Sequence, residues 1–299
     1  MRLSRKELEG RAGALALRKV QRWLSKKNLS QAETIGERLG RLAFRLAKSR
    51  RTRTISNLAL AFPEKGESER FNIARGVFEH FGRVMCDFVR TESRSEEEVL
   101  GSITVEGHEH LERARAMGKG VIVVTAHFGN WERMGQYMTL TGDSPFNVIV
   151  RDAANNDLNN LVFQMRTAAG LGTISRGNAA RSVLTSLKRN EIVGILPDQN
   201  AWDTTFLPFF GIPCGTVLGP AVLGERAGAP LVPIWCVRTG PGKFKFILEE
   251  PLKPEAGFDN AEGLMRSYNR ALERVVREYP EQYLWMHDRW KSARQEGLT

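Results

Sequence analysis

The chain has 299 residues, 41% of them hydrophobic, and its 44 Lys+Arg against 34 Asp+Glu give a formal net charge of +10. This profile excludes a disordered, collagen-like or disulfide-stapled protein, and the length suits two small domains or, by default, one large α/β domain. Cys86, Cys214 and Cys236 stand far apart with no CxxC pair, so neither a disulfide framework nor a zinc ribbon is expected, and a reducing compartment fits. No run of about 18 apolar residues occurs, which argues against a transmembrane helix, and no apolar stretch follows the basic N-terminus as it would in a secretory signal.

The charge is unevenly placed. Residues 1–53 hold 16 Lys+Arg and 4 Asp+Glu, a balance of +12, whereas residues 54–299 hold 28 and 30, a balance of −2. An anionic partner would therefore be met by this N-terminal extension and not by a groove across the body. The extension reads as two helices broken near Lys27-Asn28-Leu29-Ser30, with Ser30 as N-cap and Glu33 closing a capping box. In the second helix Ile35, Leu39, Leu42 and Leu46 form one apolar stripe, flanked by Arg38, Arg41, Arg45 and Lys48. The first helix repeats this less cleanly, with Val20, Trp23 and Leu24 beside Arg18, Arg22 and Lys26. Two readings stand side by side: an anionic membrane surface under the stripe, or a stripe packed on the protein's own core with the cations solvated. No helix-turn-helix, zinc-finger or RNP-type signature accompanies the basic run, so nucleic acid is not the expected partner.

Residues 52–100 read as helical, with Asn57 to Pro63 ending one segment and a second helix from about Glu67 to Arg90. Beyond them, apolar runs at 103–106, 121–126, 146–151, 172–175, 192–196 and 231–237 alternate with helical stretches near 108–117, 131–140, 156–169, 178–189 and 217–227. That alternation predicts an α/β fold: a central mixed, mainly parallel sheet flanked by helices, forming a single domain over 54–299. A strand near 243–249, a helix near 260–278 and an aromatic tail close the chain.

Of five histidines, His127 stands out. It follows the buried-looking strand Val121 to Ala126 and precedes Phe128-Gly129-Asn130-Trp131-Glu132, which opens a helix. In α/β sheets ligands and catalytic groups gather at the carboxyl ends of strands. One ring nitrogen could face substrate while Glu132, five residues on, orients the other and stabilises the imidazolium. No Gly-x-Ser-x-Gly elbow and no evident Ser or Cys nucleophile exists, so an acyl-enzyme is disfavoured. The economical role for the base is to deprotonate a substrate hydroxyl that attacks an activated acyl group directly. His108-Glu109-His110 is a poor metal site, because spacing of two on a helix start turns the rings apart. Gly118-Lys119-Gly120 lacks the remaining P-loop residues and reads as a turn. His287 reads as a structural hydrogen-bonding residue within a core-packing tail.

The HFGNWE core of Val121 to Glu132, the segment NLALAFP at 57–63, LPDQ at 196–199, FFGIP at 209–213 and PEQYLWMHDRWK at 280–291 together resemble the bacterial lipid A late acyltransferases. Those lauroyl and myristoyl transferases lie within the wider lysophospholipid and glycerophosphate acyltransferase superfamily. The resemblance runs in order from about residue 50 to the C-terminus. It implies an O-acyltransferase using an acyl thioester, acyl-ACP or acyl-CoA, as co-substrate, with no bound cofactor and no metal. The acceptor would be a lipid A precursor or related glycolipid, and the location the cytoplasmic face of the inner membrane, with peripheral attachment because the first helices are basic and polar. A lysophospholipid or phosphatidylinositol mannoside acceptor, or a non-catalytic lipid-binding role, are the alternatives. The implied site has His127 as general base and Glu132 as its partner, with Asn130, Arg151, Arg176, Asp198 and Gln199 as substrate-binding candidates. Arg151 and Arg176 suit phosphate groups through their planar donor forks, with a surface ion pair as the lesser alternative for each. Asp198 could orient an arginine or cap the turn after Pro197.

Overall fold

The computed structural model describes residues 5–142, 144–150, 157–201 and 205–298. Four helices open the chain: α1 (Arg5–Leu24), α2 (Leu29–Leu46), α3 (Lys48–Ala61) and α4 (Glu67–Val89). After the short α5 (Glu96–Leu100), strands and helices alternate as β1 (Ile103–Glu106), α6 (His108–Ala116), β2 (Val121–Val124), α7 (Trp131–Thr141), β3 (Phe146–Val150), α8 (Asp157–Ala168), β4 (Gly172–Ser175), α9 (Ala179–Lys188) and β5 (Ile192–Ile195). The chain continues through β6 (Thr205–Phe209), β7 (Ile212–Thr216), α10 (Gly219–Ala227), β8 (Leu231–Gly240), β9 (Lys243–Leu248), α11 (Asn260–Glu278) and α12 (Lys291–Gln295).

Seven strands form one sheet in the order β1-β9-β8-β2-β5-β3-β4, antiparallel only between β8 and β9. This is the mixed, mainly parallel sheet expected from the alternation of apolar runs and helices. Strands β2 and β5 lie at its centre and are buried along their whole length, which is why they show no polar alternation: β2 is all Val and Ile, and β5 is Val and Ile apart from Gly194. On one face Leu111, Ala114, Met134 and Met138 of α6 and α7 pack with Val121 and Val123. On the other, Val183, Leu187, Ala221, Leu272 and Val276 of α9, α10 and α11 belong with Ile122 and Val124 to the main core.

Three local features differ from the expectation. Residues 205–216 form an unforeseen hairpin whose two-residue turn places Phe210 at φ 54 and Gly211 at φ 74, the left-handed pair that matches strand twist. Pro208 and Pro213 face each other in it, and prolines, which lack the ladder donor, hide a strand from a pattern reading. The cap of α2 is Asn28 and not Ser30. Its Oδ1 accepts from the Gln31 N–H at 2.9 Å, and the Gln31 side-chain Oε1 accepts from the Asn28 N–H at 3.2 Å. Glu33 is thereby released to bind across the fold, accepting from Arg238 Nε at 2.7 Å and from the Gly242 N–H at 2.7 Å. Finally, the charge boundary at residues 53 and 54 falls inside α3, so the extension is continuous with the body.

The extension is held by a seam of glycines. A Cβ on Gly36 would lie 2.4 Å from the Gly82 carbonyl oxygen, one on Gly40 2.2 Å from that of Phe78, and one on Gly82 2.1 Å from that of Gly36. Helices α2 and α4 therefore touch backbone to backbone, and the missing side chains are the condition of that contact. Gly36→Ala should lower stability by about 1–3 kcal/mol, because the helices must part. Gly13→Ala, where a Cβ meets nothing within 4 Å, should be neutral or slightly stabilising. Urea unfolding of both variants checks this, and equal effects would refute the seam.

Candidate active site

The turn after β2 is fixed from both sides before any side chain is considered. The Gly129 N–H donates to the Gln282 carbonyl at 2.9 Å, the Asn130 N–H to that of Cys236 at 2.8 Å, and the Leu284 N–H to that of His127 at 3.1 Å. Gly129 has φ +59, and a Cβ there would sit 1.9 Å from the Cys236 oxygen, so only glycine fits. Beneath it His80 of α4 is buried, which pushes its pKa down to about 3, and its neutral ring donates from Nε2 to the Gly129 carbonyl at 3.1 Å.

His127 and Asp198 follow β2 and β5, which are parallel neighbours, so their side chains emerge together at the carboxyl edge of the sheet. Asp198 Oδ1 lies 2.8 Å from His127 Nδ1, and Oδ2 accepts the His127 backbone N–H at 2.9 Å. This fixes the tautomer of the neutral ring: Nδ1 carries the proton and Nε2 holds the lone pair. The His127 side chain keeps 23% exposure whereas Asp198 keeps 2%, so the pair opens outward through Nε2. There the Gln199 carboxamide stands 3.4 Å away, and the Trp131 ring lies edge-on at 5.3 Å between centroids. Burial opposes the imidazolium, but Asp198, by charge and hydrogen bond, and Glu132, by charge, outweigh it, so the His127 pKa lies above 6.5. Burial likewise opposes the Asp198 anion, but His127 and then Arg289 hold its pKa below 3.8.

The expectation that Glu132 orients His127 is thus replaced by Asp198. Glu132 is the second residue of α7, and helical geometry turns its carboxylate toward α8, where Arg166 donates from Nε at 3.1 Å and also from Nη2. Trp131 Nε1 adds a donor at 3.2 Å. Asn130 also departs from its expected place at substrate. It is 1% exposed and caps α7, its Oδ1 accepting the Arg133 N–H at 3.1 Å and its Nδ2 donating to Asp87 at 2.8 Å. Asp87 anchors a buried ionic cluster, with Arg133 donating to its two oxygens at 2.8 and 3.0 Å and the Arg94 guanidinium forming an ion pair with it at 3.2 Å.

Arg176 is exposed in the 3₁₀ turn after β4, the edge strand, three places from β2 and so about 14 Å to the side at roughly 4.8 Å per strand. Arg151 lies outside the described residues. Arg166 is the group that the sequence reading missed: it sits in the last turn of α8 with no local motif, and only the packing of α8 beside α7 brings it to Glu132. No cluster of three or more metal-ligating side chains occurs among the described residues.

A polar dyad at the carboxyl edge of a parallel sheet could belong to many chemistries, and comparison with known proteins narrows them. Residues 20–292 match the model of the bacterial lipid A biosynthesis acyltransferases. The chain belongs to this family. It is 29% identical over 264 residues to the lipid A biosynthesis palmitoleoyltransferase of Escherichia coli K12, covering 86% of this chain and 84% of that protein. With the lauroyltransferase of the same organism it is 27% identical over 267 residues, covering 88% and 86%. A phosphatidylinositol mannoside acyltransferase of Mycobacterium tuberculosis is 23% identical over 171 residues, covering 55% of this chain and 54% of that protein.

The geometry makes the ionisation of His127 measurable. Asp198→Asn removes the group that stabilises the imidazolium and leaves burial in control, so the His127 pKa should fall from above 6.5 to below it. A histidine-selective NMR titration of wild type and variant checks the sign, and an unmoved pKa would exclude the pairing.

Proposed function

We propose that this lipid A acyltransferase family member moves a fatty acyl chain from a thioester donor, acyl carrier protein or less favourably coenzyme A, onto a hydroxyl of a lipid A precursor or related glycolipid. The observation that carries the reading is the His127–Asp198 pair, with Nδ1 locked to a buried carboxylate and Nε2 turned to the open side. Nε2 takes the acceptor hydroxyl proton as the oxygen attacks the thioester carbonyl. The tetrahedral intermediate then collapses, and the leaving sulfur recovers that proton from the imidazolium, so no covalent enzyme intermediate forms. Asp198 holds the ring throughout and stays ionised. Glu132 favours the imidazolium through space and fixes Arg166, a 27% exposed guanidinium suited to a substrate phosphate or carbonyl oxygen. Arg176 is assigned to an outlying phosphate group of a large substrate, and Arg151 is kept as a phosphate-binding candidate on its residue type alone. The two Escherichia coli relatives align over more than four-fifths of this chain, which favours a lipid A-type acceptor over a mannoside.

His127→Ala should lower acyl transfer about 10²–10⁴-fold, the contribution of a positioned base. Glu132→Gln should cost less, since the ring stays held by Asp198. Because a raised His127 pKa leaves the base protonated at low pH, kcat/KM should fall as pH drops through a value above 6.5. Lipid A mass spectra from a strain lacking its late acyltransferases, complemented with this chain, test the acceptor. Thin-layer analysis of radiolabelled transfer separates lipid A precursor, lysophospholipid and mannoside. No turnover with any donor would return the protein to a binding role.

We place the site at the cytoplasmic face of the inner membrane, attached peripherally. No helix among the described residues is long and apolar enough to cross a membrane. The stripe on α2 divides: Ile35 packs beside Leu24, Ala32 and Cys86, whereas Leu39, Leu42 and Leu46 are 52%, 49% and 71% exposed, with Arg38, Arg45 and Lys48 exposed beside them. Arg41 is instead tied to Glu37 and Glu79. On α1, Val20 and Trp23 are exposed, with Lys27 5.6 Å from the Trp23 ring centroid. Leu39, Leu42 and Leu46 changed together to Ser should strongly reduce binding to anionic vesicles, while turnover on detergent-dispersed acceptor persists. High salt should partly release the wild type, and neutral vesicles should hold it poorly. Equal vesicle binding by variant and wild type would defeat this placement.

A further inference from the structure

The C-terminal tail carries two polar residues, His287 and Arg289, that neither the base nor its substrate requires. Both are spent on one short turn, residues 198–200, which begins with the carboxylate that orients His127. The Asn200 N–H donates to His287 Nε2 at 2.8 Å, so the His287 ring is neutral and acts as an acceptor. Arg289, 2% exposed, donates from Nη1 to the Gln199 carbonyl at 3.0 Å and to the Gly215 carbonyl, and from Nη2 to Thr216 Oγ1 at 3.1 Å. It thus ties the turn to the far strand of the β6–β7 hairpin. Below the pair, Asn200 Oδ1 accepts from the Ser292 N–H at 3.0 Å and from its hydroxyl at 2.7 Å.

Two further bonds show that the tail itself is fixed and not merely draped over the turn. Asn57 of α3 donates from Nδ2 to the Trp285 and His287 carbonyls at 2.9 and 2.8 Å, and Trp285 and Trp290 are buried. A buried guanidinium is costly unless donors are engaged, and here three acceptors engage its two Nη groups, one of them in the turn, while Nε is left without a hydrogen-bond partner. Simple core packing needs no charged group at this position and no imidazole acceptor aimed at a loop amide.

We propose that His287 and Arg289 are positioning residues, which clamp the turn at 198–200 so that the Asp198 carboxylate stays aligned with Nδ1 of His127. The clamp rests on the acyltransfer reading only for its kinetic consequence; the alignment itself is a property of the folded protein. Displacement of an orienting group by about 1 Å costs on the order of 10²-fold in rate. His287→Ala removes the acceptor and should therefore lower kcat about tenfold or more, with KM within about twofold of wild type. His287→Gln keeps an oxygen able to accept from the Asn200 N–H and should recover most of that loss. Arg289→Lys should retain more kcat than Arg289→Gln, because a cation remains to hold the carbonyls.

The second readout does not depend on turnover. In the full-length protein with labelled histidine, the low-field Nδ1 proton of His127 should shift upfield or broaden in His287→Ala and persist in His287→Gln. His287 is only partly buried, so its variants keep the test decisive if Arg289→Gln fails to fold. Unchanged kcat and an unchanged Nδ1 proton in His287→Ala would overturn the clamp, as would equal losses in His287→Ala and His287→Gln. If the wild type transfers no acyl group at all, the functional reading fails, and the Nδ1 proton alone still decides the clamp.

Discussion

A carboxylate with 2% exposure at the carboxyl edge of the sheet is the constraint around which the site is arranged. An unpaired buried carboxylate would shed its charge by taking up a proton, so Asp198 persists as an anion only because donors surround it. Two of them come from a single residue, the backbone N–H and Nδ1 of His127. That double contact is possible because β2 and β5 are adjacent and parallel, so their carboxyl ends rise side by side. The same electrostatic demand that keeps Asp198 ionised sets the histidine tautomer and leaves Nε2 as the acceptor.

A second buried charge system lies behind the first and serves it mechanically. Asp87 of α4 binds Arg133 of α7 through both oxygens, Arg94 closes on the same carboxylate, and Arg94 reaches Gln136 at 2.6 Å. Arg90 meanwhile makes a forked pair with Glu98 at 3.0 and 2.8 Å. This cluster joins α4, α5 and α7, and through Asn130 it fixes the first turn of α7, where Trp131 and Glu132 stand. Buried ion pairs add little net stability over apolar packing, but removing one partner is severe, so such a cluster enforces one arrangement more than it strengthens it. The loop bearing His127 is therefore held by rigid groups on both flanks: the ionic cluster and His80 on one, and the backbone of residues 282–284 on the other.

What was legible in the sequence follows from how far apart the interacting groups lie along it. The central strands were readable because full burial leaves runs without polar alternation, and His127 was conspicuous because it ends one of them. Its partner was not readable. Asp198 is 71 residues away, and the adjacency of β2 and β5 follows from sheet order, which local pattern does not encode. Glu132 was the plausible partner only by nearness in sequence; the first turn of α7 points it at α8. Arg166 looks like any helix-surface cation until that packing exists. Asn130 misleads in the opposite sense, since the residue type that binds ligands well also caps helices well, and here capping wins.

The N-terminal helices invert the usual rule for amphipathic segments. Helix α2 buries Ala32, Gly36 and Gly40 together with Glu33 and Phe44, and leaves three leucines in the open. Glycine on the inner face lets the helix approach α4 to backbone contact, so the attachment draws on close packing and on the Glu33–Arg238 bridge rather than on leucine burial. Exposing three leucines forfeits about 1.5–3 kcal/mol of transfer free energy for each. Single exposed apolar side chains are ordinary on a protein surface, but three leucines in one stripe beside exposed cations fit the proposal that a second apolar phase bounded by negative charge covers them. Because α3 continues from this helix and sends Asn57 to the Trp285 and His287 carbonyls, the leucine face proposed to meet lipid and the tail proposed to align the base are joined through one helix.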